Sequence, residues 1–315
     1  MKAIKYNSYG KQDKMYVADI PISQPEAKQI LVKIKATSIN PVDWKTRNGD
    51  MKLFINKQFP KGMGVDFSGI VEETGSNVTG FKKGDEVFGC LPNNTAGSVA
   101  EFAIAEENLT VLKPVNLSFA EAAALPLACV SAITALIDKG GITKNMDILI
   151  NGCSGGVGHL GVMVAKLKGA NVSGSCSTSA ISTAQKTGVD TIIDYTKTNV
   201  LNSTQKYDII FDTAGNLKYT DCKTIMKPNS VFLELNPTLS NLFFGSIKNI
   251  FTGKKVKSII SKATPDKMEM IALWAKQEKL KPVIGKQYDF TQALQAYINM
   301  ENGERNIGKT VIINQ

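Results

Sequence analysis

Through residues 1–120 the apolar positions come in short, β-branched runs: AIKYN, ILVKIKATSI, GIVEETG and DEVFGC, each bounded by Pro, Gly or Asn. In ILVKIKA apolar and charged side chains alternate, the period of a half-buried strand. GSNVTGFKKGDEV reads as a turn-rich connection between two such runs. Near Leu117-Ser118-Phe119 the period lengthens, and SFAEAAALPLACVSAITALI is helical. Ser118 is its N-cap, with Glu121 three residues on completing a capping box, and Pro126 implies a break or kink.

From Asp147 onward strands and helices alternate. Asp147 to Ile150 reads as a short buried strand, ANVSGSC as a second, TIIDY as a third, YDIIFDTAG as a fourth, SVFLELN as a fifth and KVKSIIS as a sixth. SAISTAQKTG is a short helix ending at Gly188. This βαβα order predicts an α/β domain with a doubly wound parallel sheet. The chain then closes with a helix (DKMEMIALWAKQEKL), a strand-like KPVIGKQYDF, a helix (TQALQAYINMENG) and a strand (GKTVIIN). That last piece is too small to fold alone and is expected to complete the first domain. The predicted division is a β-rich domain over 1–121, completed by 264–315, and a doubly wound domain over 122–263.

The stretch DILINGCSGGVGHLGVMVAKLKG organises the second domain. Glycines fall at 152, 155, 156 and 158, and Val157, Leu160, Val164 and Leu167 then recur at helical spacing. Lys166 and Lys168 suit the C-terminal dipole, and Gly169 caps the end. Strand, glycine turn and helix together bring a pyrophosphate onto a helix N-terminus. The candidate cradle is Gly152, Ser154, Gly155, Gly156, Val157 and Gly158. A purely structural turn uses the same residue types.

Composition narrows the classes. The 315 residues carry 37 basic and 28 acidic side chains, a net charge of +9. That balance suits phosphate-bearing ligands, but the lysines are scattered and no arginine-rich arm appears, so no nucleic-acid partner is expected. The five cysteines are far apart in sequence, which fits free thiols in a reducing compartment. MKAIKYNSYG is no signal peptide, and no apolar run reaches the ~18 residues that span a bilayer. The expected location is cytoplasmic.

INPVDWKTRNG (39–49), GVDFSGIVEETGSNVTGFKKGDEVFG (64–89), AAALPLACVSAITAL (122–136), INGCSGGVG (150–158), DTIIDY (190–195), YDIIFDTAG (207–215) and ERNIGKTVI (304–312) occur in one order along the chain. Together they resemble the medium-chain dehydrogenase/reductases, in their zinc-independent quinone oxidoreductase and enone reductase branch. The resemblance implies a GroES-like β-rich catalytic domain plus a Rossmann domain, with NADPH as cofactor. It places the segment of Asn40, Asp43 and Lys45, read here as a loop-strand junction, beside the nicotinamide. Ser131 lies near the ring by the same resemblance, Asn236 at the pocket edge, and Tyr195 beside the 2′-phosphate. Thr213 belongs to the matched YDIIFDTAG segment.

Zinc relatives carry a cysteine where Asn40-Pro41-Val42-Asp43 stands and Gly-His-Glu where Gly64-Val65-Asp66 stands. The chain has a single histidine, His159, within the glycine turn. With about three nitrogen or sulfur ligands required for catalytic zinc, no metal site is expected. His159 itself reads as satisfied or at the surface. The second Rossmann strand ends Ser175-Cys176-Ser177-Thr178-Ser179, without the acid that holds the ribose of NAD. Ser177 and Thr178 hydroxyls suit a phosphate, and Lys186 or Arg305 supplies the missing charge. For chemistry, Lys45 is the proton donor and Asp43 and Asn40 its neighbours; a structural ion pair of Asp43 with Lys45 or Arg47 is the competing reading. The substrate class is a small carbonyl or quinone. A non-catalytic NADPH-binding protein and an enoyl-thioester reductase remain as alternatives, and the choice between monomer and homodimer stays open.

Overall fold

The computed structural model describes residues 1–53, 55, 58–235, 253–304 and 306–314. Asn236, Arg305 and most of the segment 241–255 lie outside the described residues. The chain forms two compact units, residues 1–127 with 263–315, and residues 128–262.

In the first unit, β1 (Lys2–Tyr6) pairs antiparallel with β2 (Met15–Asp19) and with β4 (Lys61–Gly62). A larger sheet is built on β3 (Gln29–Ser38), which pairs antiparallel with β5 (Asp66–Thr74) and β7 (Phe102–Glu106). From β5 it continues to β6 (Glu86–Cys90) and β8 (Thr110–Leu112). Ile30, Leu31, Val32 and Ile34 are all buried, so only Lys33 faces solvent in a strand whose alternation predicted one wet face. The segment 119–123 packs on this strand, and Ile30, Val32 and Ile34 share a buried cluster with Phe67, Val71 and Val87.

The capping box at Ser118 and Glu121 opens α2 (Phe119–Ala123). Pro126 then starts α3 (Pro126–Ile133) as a new helix, where its missing N–H costs nothing. α2 packs on β3 and β5, and Leu127 N–H donates to Asp66 Oδ1 at 2.9 Å. The first unit therefore runs on to Leu127 rather than stopping at 121.

The second unit is a six-stranded parallel sheet. Its strands are β9 (Asp147–Asn151), β10 (Asn171–Cys176), β11 (Thr191–Asp194), β12 (Tyr207–Asp212), β13 (Met226–Glu234) and β14 (Lys255–Ser258). They lie in the order β11-β10-β9-β12-β13-β14. The order reverses at β9, the switch point where open α/β sheets take their ligands. The helices α4 (Gly158–Leu167), α5 (Ile181–Lys186) and α6 (Tyr219–Cys222) fill connections between these strands. The buried side chains of β9, Ile148, Leu149 and Ile150, are fully covered, as a strand buried on both faces must be.

The chain then returns. α7 (Pro265–Lys276), β15 (Ile284–Asp289), α8 (Ala293–Glu301) and β16 (Lys309–Ile313) all belong to the first unit. β16 joins the larger sheet antiparallel to β3, with Val311 opposite Ser38, and β15 lies parallel beyond it. No helix of the described residues is long and apolar enough to cross a membrane, and none of the five cysteines forms a disulfide.

Candidate functional site

The segment 40–48, expected as a loop-strand junction, is a helix, α1 (Pro41–Asn48). Pro41 at its first position presets the backbone, and Gly49 at φ 92° closes it in the left-handed conformation that a Cβ disfavours. Asp43 Oδ2 accepts the Asn40 N–H at 2.9 Å, so the third helical residue reaches back to the N-cap residue before the helix. The face that α1 buries is polar: Asp43, Thr46 and Arg47.

That polar face is matched by groups from four other elements. The Tyr297 hydroxyl on α8 donates to Asp43 Oδ2 at 2.9 Å. Asn40 Nδ2 donates to Asp66 Oδ2 at 2.8 Å, and Ser38 Oγ donates to the same oxygen at 2.8 Å. Lys309 Nζ on β16 donates to Asn40 Oδ1 at 2.5 Å and to the Ile39 carbonyl at 3.1 Å, and stands 3.9 Å from Asp66. Arg47, fully buried, pairs with Glu301 at 2.5 Å. Asp43 thus pairs with neither Lys45 nor Arg47. Both ends of the Asn40 amide are engaged inside this network, so Asn40 orients its neighbours. Asp43 Oδ1 is buried without a hydrogen-bond partner.

Burial sets the protonation of the cluster. Desolvation raises Asp43 to about 7, against the opposing pull of the Asn40 N–H and the Tyr297 hydroxyl. Asp66 is also raised by burial, with Lys309 pulling it back. Lys45 is half-buried, and desolvation lowers its pKa against the nearby Asp50 carboxylate. Burial and the Asp66 carboxylate push the Cys90 thiol well up.

In the second unit the glycine turn has the geometry that a dinucleotide needs. Gly152 has φ 82°, and its N–H and that of Cys153 donate to the Ser175 carbonyl at 3.2 and 2.9 Å. A Cβ on Gly158 would stand 2.0 Å from the Gly152 oxygen, so this position closes the turn onto α4 only as glycine. A Cβ on Gly155 would meet nothing nearer than 3.4 Å, which leaves an open approach beside the backbone. No side chain caps the N-terminus of α4, whose first N–H groups are the donors that a pyrophosphate takes. Thr213 Oγ1 donates to the Asn151 carbonyl at 2.7 Å and fixes the strand end below the turn. His159 is fully buried, with Nδ1 2.7 Å from the Gly155 carbonyl, and serves as a satisfied core residue.

Ser177, Thr178 and Tyr195 gather at the ends of β10 and β11, where Tyr195 N–H donates to the Cys176 carbonyl at 3.1 Å. The sequence shows no acid at the end of β10, yet the sheet supplies one from the next strand. Asp194 lies opposite Cys176, and Thr178 Oγ1 donates to its Oδ2 at 2.5 Å. Its other oxygen accepts from Thr196 N–H and Oγ1 at 3.0 and 2.7 Å, and these bonds hold its pKa below the usual carboxylate value. Ser131, on α3, accepts from Ser261 Oγ at 2.7 Å.

Residues 26–115 match the family described as alcohol dehydrogenase GroES-like domain, and residues 187–312 match zinc-binding dehydrogenase. The chain is 32% identical over 323 residues to the chloroplast envelope quinone oxidoreductase homolog of Arabidopsis thaliana, covering 99% of this chain and 98% of that protein. The chain belongs to the medium-chain dehydrogenase/reductases. It is also 37% identical over 224 residues to an Arabidopsis thaliana NADPH-dependent alkenal/one oxidoreductase, spanning 68% of this chain and 58% of that one. The quinone oxidoreductase of Coxiella burnetii has the same fold, with a TM-score of 0.87 at 26% identity over 100% of this chain and 99% of that one.

As a member of this superfamily the chain takes a nicotinamide cofactor, and the turn at 152–158 fits one. The superfamily's zinc positions read differently. The Asn40 amide and the Asp66 carboxylate are spent on one another, and Val65 offers no ligand atom. Among the described residues no group of three His, Cys, Asp or Glu side chains converges on a metal position. Asp66, Lys309 and Tyr297 were not singled out in the sequence as site residues, because their partners are remote in the chain. The match of GVDFSG and ERNIGKTVI to the family was the signal available for Asp66 and Lys309; Tyr297 lies in neither segment.

Proposed function

We propose that this protein is an NADPH-dependent oxidoreductase that reduces α,β-unsaturated carbonyls or quinones by hydride transfer without a metal. The observation that carries it is the glycine turn, open at Gly155 and closed at Gly158, in a chain similar over 99% of its length to a quinone oxidoreductase homolog. The bound nicotinamide supplies the hydride.

The protein's own residues hold and orient. Backbone N–H groups of 156–158 at the N-terminus of α4 take the pyrophosphate, while the Gly155 N–H is given to the Gly152 carbonyl. Ser177, Thr178 and Tyr195 line the end of the second strand, where a 2′-phosphate is taken. Both oxygens of Asp194 already accept from Thr178 and Thr196, bonds with which a ribose hydroxyl has to compete. Hydride arriving at the β-carbon of an enone moves negative charge onto the carbonyl oxygen. Lys45, its ammonium already destabilised by partial burial, stabilises that charge and gives up a proton there. Cytoplasmic residence belongs to the same proposal, since five buried thiols without disulfides suit a reducing compartment.

NADPH consumption against alkenals, cyclic enones and quinones tests the reading. Lys45→Met keeps most of the bulk and removes the charge. It should lower enone turnover by about 100- to 1000-fold, quinone turnover less, and leave NADPH affinity by fluorescence unchanged. Unchanged enone turnover would make Lys45 a structural residue. Wild type should bind NADPH more tightly than NADH, and Ser177→Asp should reverse that order. Activity should survive a chelator; loss of activity together with stoichiometric zinc would refute the metal-free step.

A further inference from the structure

α1 is joined to α8 by two rungs. Asp43 meets Tyr297, and one turn further along both helices Arg47 meets Glu301. Each pair is spaced i, i+4 on its helix, so the helices lie side by side in the same direction. The rungs differ in kind. Arg47–Glu301 is an ion pair with the arginine fully buried, and Arg47 also reaches the Gly10 carbonyl at 3.2 Å and Asn48 Oδ1 at 2.8 Å. Asp43–Tyr297 is a single hydroxyl-to-carboxyl bond inside the cluster of Asn40, Asp66 and Lys309. Lys309 holds the residue before α1 through Asn40, and Tyr297 holds the first turn through Asp43.

We infer that Tyr297 and Lys309, both supplied by the returning C-terminal segment, are positioning residues that fix the first turn of α1 and with it Lys45. The role assigned to Lys45 rests on the proposed function; the clamp itself does not. Two charges of one sign and one of the other meet in the cluster: Asp43, Asp66 and Lys309. The groups facing Asp43 are Tyr297 from α8, Lys309 from β16, Asp66 from β5, Tyr6 from β1, Cys90 from β6 and Arg47 from its own helix. With Asp66 and Lys309 balanced, Asp43 is the member that takes up or releases a proton near neutrality. Ionised, it strengthens the bonds from the Tyr297 hydroxyl and the Asn40 N–H but carries a buried charge whose desolvation outweighs that gain; protonated, it is free of that cost. Since burial raises the Asp43 pKa only while the clamp is closed, ionisation favours opening: the clamp is firm below the Asp43 midpoint and loosens as pH rises through it.

Three variants test this: Tyr297→Phe, Lys309→Met and Glu301→Gln. The first readout needs no activity. It is the pH titration of the Asp43 carboxyl by infrared difference against Asp43→Asn, together with hydrogen exchange of the α1 amides. Tyr297→Phe removes a bond that favours the ionised form, so the Asp43 midpoint should rise by about one pH unit and α1 protection should fall. Lys309→Met removes the facing cation and should also raise the midpoint. Glu301→Gln should lower α1 protection at its far end and leave the midpoint unmoved. The second readout is the pH profile of quinone and enone turnover, whose alkaline limb should follow the Asp43 midpoint in each variant. An Asp43 midpoint that stays put in Tyr297→Phe, with unchanged α1 exchange, overturns the inference. A shifted midpoint with no reductase activity in wild type leaves the clamp standing and refutes the proposed function instead.

Discussion

Asp43 and Asp66 lie buried in one cluster, and Lys309 is the one cation within salt-bridge distance of either among the described residues. Asp66 holds that cation together with bonds from Ser38, Asn40 and Leu127, which leaves Asp43 the less compensated carboxylate. Its folded pKa, about 7, lies above the ordinary 3.8 because desolvation disfavours the charge. The consequence for stability has a definite sign. What Asp43 contributes is fully present below pH 3.8, declines as pH rises toward about 7, and is gone above that. Asp43→Asn keeps an oxygen for Tyr297 and cannot ionise. Its Tm relative to wild type should therefore rise steadily between about pH 4 and about pH 7 and level off above that, measured by calorimetry. A difference that does not vary with pH would show that Asp43 is not protonated in the native state. At this scale the sequence named Asp43 and Asn40 as site residues but could not say what they touch. Tyr297 is 254 residues from Asp43 and Lys309 is 269 from Asn40, and no local pattern links them.

At the scale of elements, the strand–turn–helix at 147–169 was legible and α1 was not. The helix after the glycines shows its apolar stripe because it buries Leu160, Val164 and their neighbours against the sheet. α1 buries Asp43, Thr46 and Arg47, so its inward face carries no hydrophobic period to read. What remained visible was local: Pro at the first position, Asp at the third and Gly at the end. The glycine turn yields a paired prediction. Gly158→Ala places a Cβ against the Gly152 oxygen and should cost about 1–3 kcal/mol of stability while also weakening dinucleotide binding. Gly155→Ala has room in the folded chain, so its Tm should match wild type while binding falls, because the methyl occupies the ligand's approach. Thermal unfolding and fluorescence titration of both variants separate the two effects. Equal loss of stability in both would mean that Gly155 is a structural glycine.

At the scale of the whole molecule, the first unit is incomplete without residues 263–315. β16 pairs along β3, and α8 and β16 deliver Tyr297, Glu301 and Lys309 to α1. A chain ending at 262 should leave Asp43 without Tyr297, Asp66 without Lys309 and Arg47 without Glu301, a loss of several kcal/mol. Limited proteolysis should then cut the first unit rapidly and spare 128–262, whose six strands are all its own; protection of both would show that the return is dispensable. By itself the sequence determined the alternating strands and helices of the doubly wound second unit and the glycine turn between β9 and α4. Each of these follows from contacts within a few residues, where apolar period, glycine and proline act directly on the backbone. Only the tertiary structure decided which acid stands by Thr178, where the first unit ends, and what holds α1. Those are pairings of polar groups on different elements, and burial, which no linear pattern records, sets their strength and their protonation.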